Sequence, residues 1–222
     1  MNINKLKEEQ IKLAKKLILT DNFEKIETIA GLDFIYTEDK IICTIVVLDY
    51  KTKEVIEKKY SIEKLTLPYI PGFLSYRVVP AATKVWEKIE KKPDVMIVGA
   101  NGILHPRKIG AASAIGLFLD VATIGVAKKR LCGEERENSV YLDKEAIGKK
   151  IETRDKAKPI YVSQGHKIGL TTTMETVKDM LIGHKLPEPL YLAHKYGNKV
   201  KKRLSEGDAE NKEDSDKEED TE

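Results

Sequence analysis

Three strand-like runs, 28–36, 41–48 and 54–60, follow one another with only short polar connections between them, a spacing that suits antiparallel hairpins. After the third run the periodicity changes. Helix-like 76–90, strand-like 95–98, helix-like 109–119, strand-like 122–126, strand-like 160–162 and helix-like 172–181 alternate, the order expected of an α/β layer with parallel strands. Ahead of the hairpins, residues 4–19 place Ile11, Ala14 and Ile18, and again Leu6, Leu13 and Leu17, at helical spacing among charged residues, which predicts a surface helix. The segment 132–158 is polar and charged and reads as a mobile excursion. No self-similar period of 20 to 50 residues suggests a solenoid or propeller.

A chain of 222 residues with 41% hydrophobic content can bury one substantial core, so 1–204 is expected to form one domain. From Ser205 to the end there are ten Asp or Glu, two Lys, no aromatic residue and no aliphatic larger than Ala209. Such a stretch cannot offset its own ordering entropy, and 205–222 is expected to be a disordered acidic tail. Without it, 1–204 hold 37 Lys and Arg against 26 Asp and Glu, an excess of 11, whereas the whole chain carries +3. A basic body, extended by Lys199, Lys201, Lys202 and Arg203, suits a polyanionic partner. Composition alone equally suits a lysine-rich protein of a heat-loving organism. Cys43 and Cys132 are too few for a disulfide framework, and Cys43 within 41–48 reads as a buried reduced thiol. With no secretory pattern and no apolar run of membrane-spanning length, the expectation is a cytoplasmic protein with no membrane partner.

The run 95–98 ends in Gly99-Ala100-Asn101-Gly102, and Pro106 follows where a helix can begin. Ligand loops often lie at such strand ends. Asp33 is a lone acid within Gly31-Leu32-Asp33-Phe34-Ile35-Tyr36, where packing does not account for it. Pro68-Tyr69-Ile70-Pro71-Gly72-Phe73-Leu74-Ser75-Tyr76-Arg77 offers a stiff loop with an aromatic at its tip. Further blocks are Ile124 to Leu131, with Lys128 inside it, then Val162-Ser163-Gln164-Gly165-His166-Lys167-Ile168, then Leu186-Pro187-Glu188-Pro189.

In this order the blocks resemble the endonuclease V family, whose members cut nucleic acid near deaminated bases, chiefly inosine. The likeness runs from the N-terminal helix to about Lys195. It implies a ribonuclease H-like fold, a mixed sheet of three antiparallel then parallel strands flanked by helices, in agreement with the periodicity. It also implies a role in DNA repair or nucleic-acid processing, with DNA or RNA as partner. By resemblance, Tyr69 is a wedge inserted beside the lesion, stiffened by Pro68, Ile70 and Pro71. Gly72, Leu74, Gly102 and His105 would surround an extruded base. Ala100, in place of a family glycine, would narrow that pocket. Arg107 would contact phosphate or cap the loop. Lys128 would stabilise charge at the cleaved phosphate and His166 would orient water.

Phosphodiester hydrolysis on this fold needs acids at adjacent strand ends to hold Mg²⁺. Asp33 matches one such position. Two others do not: Val78 follows Ser75-Tyr76-Arg77 where the family has Glu, and Gly99 stands where it has Asp. Two smaller departures are Ala114 in Ala112-Ser113-Ala114 for a family histidine, and His194 for a usual acid. Neighbouring acids cannot substitute. Asp94 lies roughly 16 Å from Gly99 along a strand at about 3.3 Å per residue, and Glu87 roughly 13 Å from Val78 along a helix at about 1.5 Å per residue. The expected function is therefore recognition of inosine-containing nucleic acid with weak or lost cleavage. The alternatives are an active Mg²⁺-dependent nuclease with a rearranged metal site, and a non-catalytic interaction protein on the same fold.

Overall fold

The computed structural model describes residues 2–154 and 157–206. One helix, α1 (Ile3–Ala14), precedes β1 (Thr28–Tyr36), β2 (Lys40–Asp49) and β3 (Val55–Lys64). Then come α2 (Leu74–Lys88), β4 (Val95–Val98), α3 (Ala111–Leu119) and β5 (Ala122–Ala127). The chain continues through β6 (Glu134–Arg136), β7 (Ser139–Leu142), β8 (Glu145–Ile151), β9 (Ile160–His166), α4 (Leu170–Asp179) and α5 (Glu188–Ser205). Among the described residues nine strands form one sheet in the order β3-β2-β1-β4-β5-β9-β8-β7-β6. The first three pair antiparallel, and β4 and β5 are parallel to β1, as the sequence pattern predicts. From β9 outward the pairing is antiparallel again.

The two-residue period of a strand assigns side chains to opposite faces. On β1, Ala30, Leu32 and Phe34 join α2 and α3 in one core cluster. Ile29 and Ile35 join α4 and α5 in the other. Gly31 and Asp33 share this second face. A side chain at Gly31 would run into the backbone of Pro189 and Leu190, so α5 rests directly on the β1 main chain.

Several sequence expectations change. The helix expected at 109 starts at Ala111, capped by Gly110, and Pro106 lies in the turn before it. Residues 132–158 are not a loose excursion, because β6, β7 and β8 lie there and extend the sheet. Val140 and Ile147 from this segment form a small third core with Ile103 and Leu104. They therefore brace the chain just after Gly102. Helix α5 went unforeseen, and it runs through Ser205, one residue into the stretch assigned to the acidic tail. The remainder of that tail from residue 207 lies outside the described residues. Among the described residues no helix is long and apolar enough to cross a membrane.

Candidate functional site

Two adjoining cavities open where β4 and β5 terminate beside Asp33 of β1, and Leu74 and Asn101 line both. The first is also lined by Tyr69, Gly72, Ser75, His105, Ile109, Gly110 and Leu131. The second holds Asp33, Gly99, Ala100, Lys128, Leu190 and His194.

The walls of the Tyr69 pocket are set by backbone. Pro71 and Gly72 occupy the centre of a turn closed by the Phe73 N–H on the Ile70 carbonyl, 3.0 Å, with Gly72 at φ 79°. A positive φ after proline is what such a turn requires, and glycine takes it without strain. The Gly72 carbonyl accepts from three side chains: Gln10 Nε2 at 3.1 Å, Arg107 Nη2 at 2.7 Å and His105 Nε2 at 3.0 Å. His105 Nδ1 accepts the Arg107 N–H, which leaves Nε2 to carry the proton donated to Gly72. Burial pushes the His105 pKa down to about 4, against the opposing pull of the Gly72 bond. Arg107 also donates from Nε to Gln10 Oε1 at 2.5 Å and stacks over Phe73. Of the two roles expected for it, its contacts are those of loop capping.

Gly102, expected beside the base, does not line this pocket: it is buried next to the lining residue Asn101, its N–H donates to Ser163 Oγ at 2.9 Å, and a Cβ there would collide with the Gln164 carbonyl. Tyr69 itself remains 63% exposed, a large ring held at the pocket rim with little packing beneath it. Pro68, Ile70 and Pro71 flank it on a segment without regular structure. Ala100 does not narrow this pocket: its side chain is buried in the α2-side core, and it lines the other cavity.

In the second cavity Asp33 Oδ2 lies 2.6 Å from His194 Nδ1 on α5. An ionised carboxylate only accepts, so Nδ1 carries the hydrogen. Sequence reasoning set His194 aside as a departure, yet it is the nearest functional side chain to Asp33. Apolar or small residues Leu190, Ala193, Tyr196, Gly197 and Val200 at three- and four-residue spacing would have revealed the helix that carries it. Gly99 faces Asp33, and the Asp33 carboxylate fills the space where a residue-99 side chain would begin. Lys128 follows the end of β5 and lines the same cavity.

His166 does not join them. β9 is antiparallel to β5, so His166 pairs with Thr123 at the far end of β5, five residues or roughly 16 Å from Lys128 at about 3.3 Å per residue. Its ring is buried and its Nδ1 accepts the Ile18 N–H at 3.2 Å. Burial, aided by Lys167, lowers its pKa. It ties the segment after α1 to the sheet. Val78 is fully buried in the α2-side cluster, away from the face that carries Asp33. Asp94 is held by the Glu27 and Thr28 N–H groups at the opposite strand ends, as its distance predicts. Among the described residues no three His, Cys, Asp or Glu side chains gather to hold a metal ion.

Three antiparallel strands continued by parallel ones, helices on both faces, and an acid on the central first strand define a ribonuclease H-like protein. The profile of the family Endonuclease V matches residues 11–195. Endonuclease V of Dictyoglomus thermophilum is 42% identical over 199 residues, covering 86% of this chain and 87% of that protein. Endonuclease V of Dictyoglomus turgidum is 40% identical over 212 residues, covering 92% of each. The crystal structure of endonuclease V from Bacillus subtilis superposes with a TM-score of 0.86 at 29% identity, covering 93% of this chain and 95% of that one. Endonuclease V of Ciona intestinalis, solved with a 24mer DNA containing an inosine followed by a ribo-adenosine, gives 0.81 at 27% identity, covering 91% and 98%. The chain belongs to the endonuclease V family.

Proposed function

We propose that this protein recognises inosine-containing DNA or RNA in a reducing, cytoplasmic setting, and that its metal-dependent strand cleavage is weak or lost. Family membership and the inosine-containing DNA bound by the Ciona relative support the substrate class. The pocket beside Tyr69 supports a base-extrusion mode, with Tyr69 as wedge, Gly72, Leu74 and His105 around the base, and Gly102 fixing the chain next to Asn101. Free Cys43 and Cys132 suit a reducing compartment.

The loss of cleavage rests on one observation: among the described residues Asp33 is the only carboxylate lining its cavity, with Gly99 opposite it and Val78 buried in the other core cluster. Mg²⁺ favours several oxygen ligands in octahedral order, and one carboxylate paired with an imidazole would hold it only weakly, with water and substrate phosphate supplying the rest. Lys128 and His194 still give the cavity groups that can bind a phosphate.

The test is incubation of inosine-containing DNA and RNA with Mg²⁺ or Mn²⁺. The natural chain should bind and leave almost no nicks. Val78→Glu with Gly99→Asp should produce metal-dependent nicking near inosine, while either change alone stays near background: an acid at 99 alone crowds Asp33 with like charge, and an acid at 78 must swing out of the α2-side cluster, a cost that only a metal shared with Asp33 and residue 99 offsets. Ala100 needs no change, since it lies outside the Tyr69 pocket. The contact of His194 with Asp33 favours a second reading, a rearranged but active site. Robust nicking by the natural chain, abolished by Asp33→Ala, would establish it and overturn the first.

A further inference from the structure

Beyond Asp33 on the same strand, a second cationic feature stands apart from both cavities. β1 ends at Tyr36, three residues past Asp33 or roughly 10 Å at about 3.3 Å per residue. The Arg77 guanidinium, from the first turns of α2, lies 4.9 Å over the Tyr36 ring. Its Nε is buried with no acceptor, and no hydrogen bond or ion pair from the described residues holds the rest of the group. Arg77 is half-buried, and a buried guanidinium nitrogen is ordinarily matched by a carboxylate or a carbonyl. On the other side of Tyr36, Lys201 of α5 donates to the Tyr36 carbonyl at 2.9 Å. The Tyr36 phenol is itself pushed up to about 12 by burial, so it stays neutral and does not compete as an anion.

A planar guanidinium fixed on an aromatic face, with its donors unmet, is preorganised for a phosphate or carboxylate. We infer that Arg77, propped on Tyr36 and flanked by Lys201, binds a backbone phosphate of the nucleic acid beyond the Asp33 cavity. This rests on the nucleic-acid-binding reading above and adds a contact to it. The site positions the strand and carries no base preference, because phosphate contacts fix register without reading sequence.

The test is binding of inosine-containing and undamaged strands of equal length across a salt series. Arg77→Gln should weaken both about equally, about tenfold at low salt, and lower the slope of log affinity against log salt by about one. Arg77→Lys should restore the slope but only part of the affinity, as a point charge lacks the fork. Tyr36→Phe should retain binding, and Tyr36→Leu should reproduce Arg77→Gln. A wild-type slope in a folded Arg77→Gln protein overturns the inference. If that variant does not fold, the Arg77→Lys and Tyr36→Leu measurements decide in the same way. Absence of inosine preference in the natural chain, with the slope still lowered by Arg77→Gln, would refute the proposed function and leave this site standing.

Discussion

The Tyr69 pocket and the Asp33 cavity share a wall, yet they are built from different materials. The pocket is fixed by main chain: three side chains converge on the Gly72 carbonyl, and Gly102, next to the lining residue Asn101, sits where no side chain fits. In the Asp33 cavity, the bond between Asp33 and His194 joins two side chains, and Gly99 faces a carboxylate that can rotate. Backbone geometry resists substitution because a change disturbs the fold. Side-chain chemistry can be replaced with the fold intact. On the function proposed above, with Val78 and Gly99 in place of acids, the recognition site outlasts the catalytic one on the same scaffold.

The sharpest way to break this contrast is to add one methyl at Gly102, behind the pocket's Asn101, and one at Gly99 in the cavity. Gly102→Ala should cost about 3 kcal/mol or more, since its neighbour is the Gln164 main chain. Gly99→Ala should cost under about 1.5 kcal/mol, because the Asp33 carboxylate can swing away. Equal losses in chemical denaturation would show that both walls are equally rigid.

Acidification should loosen the pocket next. The folded His105 pKa of about 4 lies below its ordinary 6.5, so the unfolded chain binds the extra proton first. The resulting stability is fully present above about pH 6.5 and is lost as pH falls toward 4. Its size is up to about 3 kcal/mol. His105→Gln should flatten that part of the pH profile relative to the natural chain, with the lowered His166 contributing equally to both. Superimposable profiles would mean that His105 titrates normally.

Tyr69→Ala should leave stability within about 0.5 kcal/mol, because the ring is exposed. Preference for an inosine-containing strand over undamaged duplex should fall about tenfold, since a wedge repays unstacking only where a base can leave the stack. An equal drop on both substrates would reduce Tyr69 to a loop-shaping role.

The smallest effect should come from the acidic C-terminal stretch. Nine acids against two lysines in 207–222 compete with phosphate, so a chain ending at Glu206 should bind both substrates about two- to threefold more tightly at low salt. Unchanged affinity there would remove any role for the stretch in binding.

The sequence was legible where period and turn chemistry were strong. The hairpin strands, β4 and β5, and the loop at Tyr69 all lie where apolar alternation and Pro-Gly signals place them. Strand β6 reads Glu134-Glu135-Arg136 and is exposed along its length, so no apolar pattern could announce it. Pro187 and Pro189 disguised the start of α5, although a proline is at home in a first helical turn. His166 shows the other limit. Its block matched the family, but only the antiparallel direction of β9 determines which end of the sheet it occupies.

Gly31 gives α5 its seat. Because the helix start lies against bare backbone there, the height of α5 above the sheet, and with it the gap between His194 and Asp33, is a dimension of the main chain. A residue with any side chain at 31 acts as a shim under one end of an 18-residue rod. The rod must tilt, and the imidazole six residues along from its start tilts with it. The spacing of two reactive groups is thereby governed from a position that carries no chemistry of its own.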